Sequence, residues 1–167
     1  MTNNTAWVGG RGQGLTFGTL INSGDMTSLG TSSGSNYTVL GTPTVANGGT
    51  TLDMYMDISA AVTASSSVTP AAGANLAFYI YALNQDGTHY GDNQLVTATQ
   101  ASVTPSFSAA GTIPVPTAAS TTYYGTLTGV IIPPGSFKVA ITNNSGAAFT
   151  AGTQTVSYRT YNINLNA

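Results

Sequence analysis

The sequence predicts an all-β protein, an antiparallel β-sandwich or jelly roll preceded by an irregular Gly/Thr-rich N-terminal arm. Three observations lead there. Several segments alternate apolar and polar residues with a period of two, the signature of a strand with one buried face. Gly, Pro and Asn/Asp turn signals separate those segments at short intervals. No window carries the 3.6-residue apolar period of an amphipathic helix. With 167 residues, 41% of them hydrophobic, the chain fits one domain with a useful core.

The elements follow in chain order. Residues 1–50 are rich in Gly, Thr, Ser and Asn, with scattered apolar residues such as Trp7, Val8, Leu15, Phe17, Leu20 and Ile21. They read as an extended N-terminal arm with the first short strands, and the run from Gly9 to Gly14 is too flexible to pack alone. Residues 51–167 read as the sandwich domain. In residues 52–58, Leu52, Met54, Met56 and Ile58 share one face and Asp53, Tyr55 and Asp57 the other, a half-buried strand with both carboxylates expected in solvent. Residues 75–83 are apolar or aromatic on both faces, with Leu76, Phe78 and Ile80 on one and Ala77, Tyr79, Tyr81 and Leu83 on the other. That pattern predicts a central strand contacted from both sides. Residues 84–87 end in Asp86-Gly87, a turn. Residues 95–107 alternate weakly, and 111–120 read as a Pro-punctuated loop. Residues 123–132 form a strand stopped by Pro133-Pro134-Gly135. Residues 137–141 alternate again, 143–146 turn the chain, and the last strand runs from Thr155 to about Leu165.

Charge is the compositional anomaly. Asp, Glu, Lys and Arg make up 5% of residues, against roughly 25% in ordinary soluble proteins. There is no Glu, and Lys138, Arg11 and Arg159 are the only cations. Ser, Thr, Asn, Gln, Gly and Ala must therefore form the surface. With a net charge of −2, colloidal repulsion is weak, which favours association. Three cations cannot neutralise a run of phosphates, so nucleic acid is not an expected partner. No apolar stretch approaches the roughly 20 residues of a spanning helix, so neither is a membrane.

The first ten residues show neither the charged nor the apolar region of a secretory signal, although the composition looks extracellular. A virion component, assembled in the cytoplasm and released by lysis, reconciles the two; so does a chain trimmed of its signal. The absence of Cys removes disulfides, thiol catalysis and Cys-based zinc sites.

Catalysis fails on inventory, and the chain is expected not to be an enzyme. His89 is the only imidazole, and no Ser sits in a nucleophile-elbow sequence. Paired-carboxylate hydrolysis would have to draw on Asp25, Asp53, Asp57, Asp86 and Asp92. Asn84, Asp86 and Asp92 could present oxygens to calcium, but their spacing is not that of an EF-hand, and a hairpin turn accounts for Asp86-Gly87 without a metal. No catalytic residue, metal or cofactor is expected. Nine tyrosines offer low-entropy interface anchors or platforms for sugar rings. Tyr123 and Tyr124, beside the Pro-rich segment, are the pair expected at the surface, with Trp7 and Phe17 as candidates on the arm.

Two stretches also carry a resemblance. One is residues 75–92, reading NLAFYIYALNQDGTHYGD. The other is residues 132–146, reading IPPGSFKVAITNNSG, followed by VSYRTYN at 156–162. Together they resemble the small β-sandwich capsid cement or decoration proteins of tailed bacteriophages, over about the last two-thirds of the chain. The resemblance implies a jelly-roll-like fold, attachment to the capsid exterior through the major capsid protein, and a homo-oligomer, trimer or dimer. It implies reinforcement of contacts between coat subunits and carries over no binding residue. The alternative in the same setting is a receptor- or carbohydrate-binding module on a head or tail fibre.

Overall fold

The computed structural model describes residues 4–9, 17–21, 26, 37–40, 45–48, 52–65, 68–91, 94–95, 100–101, 108–150 and 153–166. Thirteen strands lie within them: β1 (Asn4–Gly9), β2 (Gly18–Ile21), β3 (Tyr37–Leu40), β4 (Val45–Asn47), β5 (Tyr55–Thr63), β6 (Asn75–Ala82), β7 (His89–Tyr90), β8 (Gln94–Leu95), β9 (Gln100–Ala101), β10 (Gly111–Pro114), β11 (Thr122–Ile131), β12 (Gly135–Asn143) and β13 (Thr155–Asn166).

The pairing is that of one long antiparallel hairpin wrapped into two sheets. β1 and β2 lie end to end along β13, and β3 and β4 lie end to end along β12. Further in, β5 pairs with β11 and β6 with β10. Counting β1/β2 and β3/β4 as one position each, the first strand pairs with the eighth, the second with the seventh, the third with the sixth and the fourth with the fifth. The wrap is closed by β13 on β5 and β12 on β6. Sheet I therefore runs β1/β2-β13-β5-β11, and sheet II runs β3/β4-β12-β6-β10 with β9 beyond β3. This is an eight-position jelly roll.

The short strands expected in the first fifty residues are present. They are the edge partners of β13 and β12, so the sandwich draws on the chain from Asn4 onward. The Gly run at 10–14, Leu15, Asp25, Asp92 and most of 95–107 lie outside the described residues.

The core lies between the sheets, where Met56, Ile58, Ala60 and Val62 of β5 meet Phe137, Val139 and Ile141 of β12 and Leu76 and Phe78 of β6, all buried. β6 behaves as its two apolar faces predict. Leu76, Phe78 and Ile80 join this core, while Tyr79, Tyr81 and Leu83 form a second cluster on the outside of sheet II with Tyr90 and Ala140.

Two expectations need correction. The buried face of residues 52–58 begins only at Met56, because Leu52 and Met54 are exposed. Side-chain amides take up the backbone there: Asn47 Oδ1 accepts from Asp53 N at 2.9 Å, and Asn162 Oδ1 accepts from Met54 N at 2.9 Å. The segment thus runs past the end of the sheet. The segment read as a loop at 111–120 opens with strand β10, four residues on the edge of sheet II, where Pro114 as its last residue is tolerated.

Glycines let the two sheets close at this side. A Cβ on Gly125 of β11 would collide with Ile113 Cγ2 of β10, and one on Gly111 would lie 2.6 Å from Leu127 Cδ1. Each strand thus offers a large side chain over the other's glycine, and β10 and β11 interlock across the gap between the sheets.

Candidate assembly surface

The two outer faces of the sandwich differ. Over sheet II, residues 83–90 fold back on their own chain. Leu83 bridges Tyr90, and Tyr90 of β7 is buried, with its ring 5.6 Å from Lys138 Nζ. Lys138 is itself buried, and loss of hydration lowers its pKa.

Sheet I has a different exterior. Along β11, Thr122, Tyr124, Thr126 and Thr128 are exposed, and Tyr124 reaches 83% exposure. At the end of the strand Ile131 is 76% exposed, beside Leu52 and Met54. These residues, with Asn47, Asp53, Ile132 and Pro134, line a shallow cleft of about 190 Å³.

Within this face lies a polar cluster that the sequence reading placed in solvent. Asp57 points away from the core yet is only 3% exposed. Its Oδ2 accepts from Arg159 Nε at 2.9 Å and Nη2 at 2.8 Å. Its Oδ1 accepts from the Tyr161 hydroxyl and from Gly129 N, both at 3.0 Å. The sequence builds this cluster in three ways. The β13–β5 register sets Arg159 directly opposite Asp57 and Tyr161 opposite Tyr55, and the two tyrosine rings stack at 5.7 Å. A β-bulge between Leu127 and Val130 puts Gly129 at φ +69°, which turns its N–H toward the carboxylate. Phe17, just ahead of β2, lies 4.8 Å beneath the Arg159 guanidinium. Burial first, and then its hydrogen bond to Asp57, push the Tyr161 phenol above its ordinary pKa. The chemistry is that of a satisfied ion pair, with four donor contacts from three residues on the carboxylate.

The expected aromatics fall into different roles. Tyr124 is at the surface as anticipated. Tyr123 is half-buried: its ring packs against the core and its hydroxyl donates to Ala118 O at 3.1 Å. The alternation that exposes one neighbour must bury the other. Phe17 is partly exposed under Arg159, and Trp7 lies opposite Ile163 in the β1–β13 ladder.

The loop considered for calcium is a self-contained turn. Asp86 Oδ1 accepts from Thr88 N at 2.8 Å and His89 N at 3.0 Å, while Oδ2 meets His89 Nδ1 at 2.7 Å. The two backbone N–H groups, then the His89 side chain, hold the Asp86 carboxyl at about 2. Among the described residues no three His, Cys, Asp or Glu side chains come together as a metal site.

The structure thus defines the class, an antiparallel jelly-roll β-sandwich. No protein-family model matches the chain, and neither a curated protein nor a solved structure matches it.

Proposed function

We propose that this chain is a non-catalytic structural protein of a bacteriophage virion, a cement or decoration protein that sits on the capsid exterior and bridges major coat subunits. The observation that carries the reading is where the few charges go. Of the cations, Lys138 is buried and Arg159 is tied to Asp57. Among the described residues, the only charges on the exterior of sheet I, where Thr122, Tyr124, Thr126 and Ile131 are exposed on β11, are the paired Asp57 and Arg159, which offset each other. Such a surface docks without stripping water from ions, so little of the contact energy is spent on desolvation. The jelly roll also recurs in viral shell domains, a fold-level analogy that fits the reading without carrying it.

The test uses particles of the encoding phage that lack this chain. Purified protein should co-sediment with them, and Tyr124→Asp or Ile131→Asp should weaken the binding with the fold intact. Failure of the wild-type chain to bind its own particles would overturn the proposal.

The exposed Tyr124 ring also suits the fibre reading, as a platform for a sugar ring. Glycan-array binding abolished by Tyr124→Ala would favour that reading over shell attachment.

A further inference from the structure

The open edge of sheet I has the properties of a pairing template. Among the described residues β11 pairs only with β5. Proteins usually blunt an exposed edge with Lys, Pro, short length or a bulge. β10, the corresponding edge of sheet II, is four residues long and ends in Pro114. β11 is ten residues long and has neither charge nor proline; indeed no residue from Asn93 to Phe137 is charged. Its bulge at Thr128-Gly129 leaves Thr122 to Leu127 as a regular run.

Hydrogen bonding shows which backbone groups this run presents. Ala64 O accepts from Ser120 N at 3.1 Å, and Met54 O accepts from Ile132 N at 3.1 Å. Even-numbered positions on and beside β5 therefore face β11. Thr63 O, an odd-numbered position, accepts from Thr150 N on the other side. By the alternation of an antiparallel ladder, Ile58, Ala60 and Val62 point their backbone groups at β11. Their register partners Leu127, Gly125 and Tyr123 point back. The N–H and C=O groups of Thr122, Tyr124 and Thr126 are left directed out of the edge, where the side chains are also exposed.

We propose that this edge is completed by β11 of a second copy of the chain, antiparallel, so that two copies of sheet I become one continuous sheet. A two-fold contact requires a self-complementary patch, and an antiparallel strand pairing with itself meets that requirement by symmetry. Without charge, the strand raises no like-charge repulsion against its own copy. Registers centred on Tyr124 or on Gly125 both keep Thr122, Tyr124 and Thr126 in hydrogen-bonded positions. Both also bring the two Tyr124 rings together on one face, as a direct or diagonal cross-strand pair. The cement reading gains from this a bivalent unit with two docking faces. The inference deepens that reading but is tested on the isolated chain, so either can fail while the other stands.

The experiment is light scattering on purified protein, with four variants. Wild type should run at twice the 16.9 kDa chain mass. Thr126→Pro removes an N–H that pairs with no described strand and should give a folded monomer, with the circular dichroism spectrum of wild type. Should that variant fail to fold, Thr126→Lys places a charge on the same edge and should also give a monomer. Because the chain has no native Cys, Tyr124→Cys should form an intermolecular disulfide on oxidation in the register centred on Tyr124, and the Tyr124→Cys/Thr126→Cys double variant should do so in the register centred on Gly125. A monomeric wild type, or a dimer that survives Thr126→Lys, overturns the proposal. So does a trimer or larger ring, the outcome if β11 instead paired with β1 of a neighbour.

Discussion

Removing the Asp57 carboxylate should be among the most costly changes on the outside of this sandwich. Asp57→Ala leaves the Arg159 guanidinium without its anion and deprives Tyr161 Oη and Gly129 N of their acceptor. Breaking a buried ion pair from one side costs about 3–5 kcal/mol. Arg159 is about a third exposed and can turn part of its charge to water, which discounts that figure. Loss of the acceptor for a buried phenol and a backbone N–H adds back about 1 kcal/mol each. A working value of about 3 kcal/mol follows, which for a chain of this size lowers the melting temperature by about 6–12 °C. Circular dichroism melts of Asp57→Ala and Arg159→Met, together with the Asp57→Leu/Arg159→Met double variant, test the reasoning. Each single variant should melt well below wild type. The double variant should recover more than half of the larger loss, because an apolar pair leaves no stranded charge. Asp57→Ala within about 0.5 kcal/mol of wild type, the range of ordinary surface substitutions, would refute the cluster as described.

Three further outcomes are expected. Gly125→Ala should cost about 1–3 kcal/mol in denaturant melts, because Ile113 is buried and stiff at χ1; Gly111→Ala should cost less, since the tip of Leu127 can rotate. Asn47→Ala should cost about 2–3 kcal/mol: its buried amide bonds Asp53 N, Asp53 O and Pro133 O at 2.9, 2.8 and 2.8 Å. The Asp86 turn should respond to acid in a defined window. Its carboxyl sits at about 2 in the folded chain against an ordinary 3.8, so its contribution is complete above 3.8 and is lost as pH falls toward 2. The amide NMR signals of Thr88 and His89 should follow that loss, and a midpoint at or above 3.8 would contradict it.

The sequence is legible where the physics is local. β6 is recognisable because both of its faces are apolar, and the Pro133-Pro134-Gly135 stop between β11 and β12 because proline is excluded from a strand interior. β10 is hidden by the same rule, since Pro114 signals a loop unless the strand is known to lie on an edge. Asp57 is misread because its partner is 102 residues away. Only the β13–β5 register, a tertiary property, reveals that a carboxylate on the outer face is covered. One signal was available: in a chain with so few ions, a carboxylate between aromatic and apolar strand residues has reason to be paired. Alternation allows one of Tyr123 and Tyr124 at the surface but does not say which.

Quantitative mass spectrometry of purified virions of the encoding phage decides whether this charge-poor jelly roll is a component of a phage shell. As a shell component, this chain should be present at a copy number comparable to that of the major coat protein. A handful of copies per particle would move it from the shell to a fibre, and its absence from the particle would contradict a virion role.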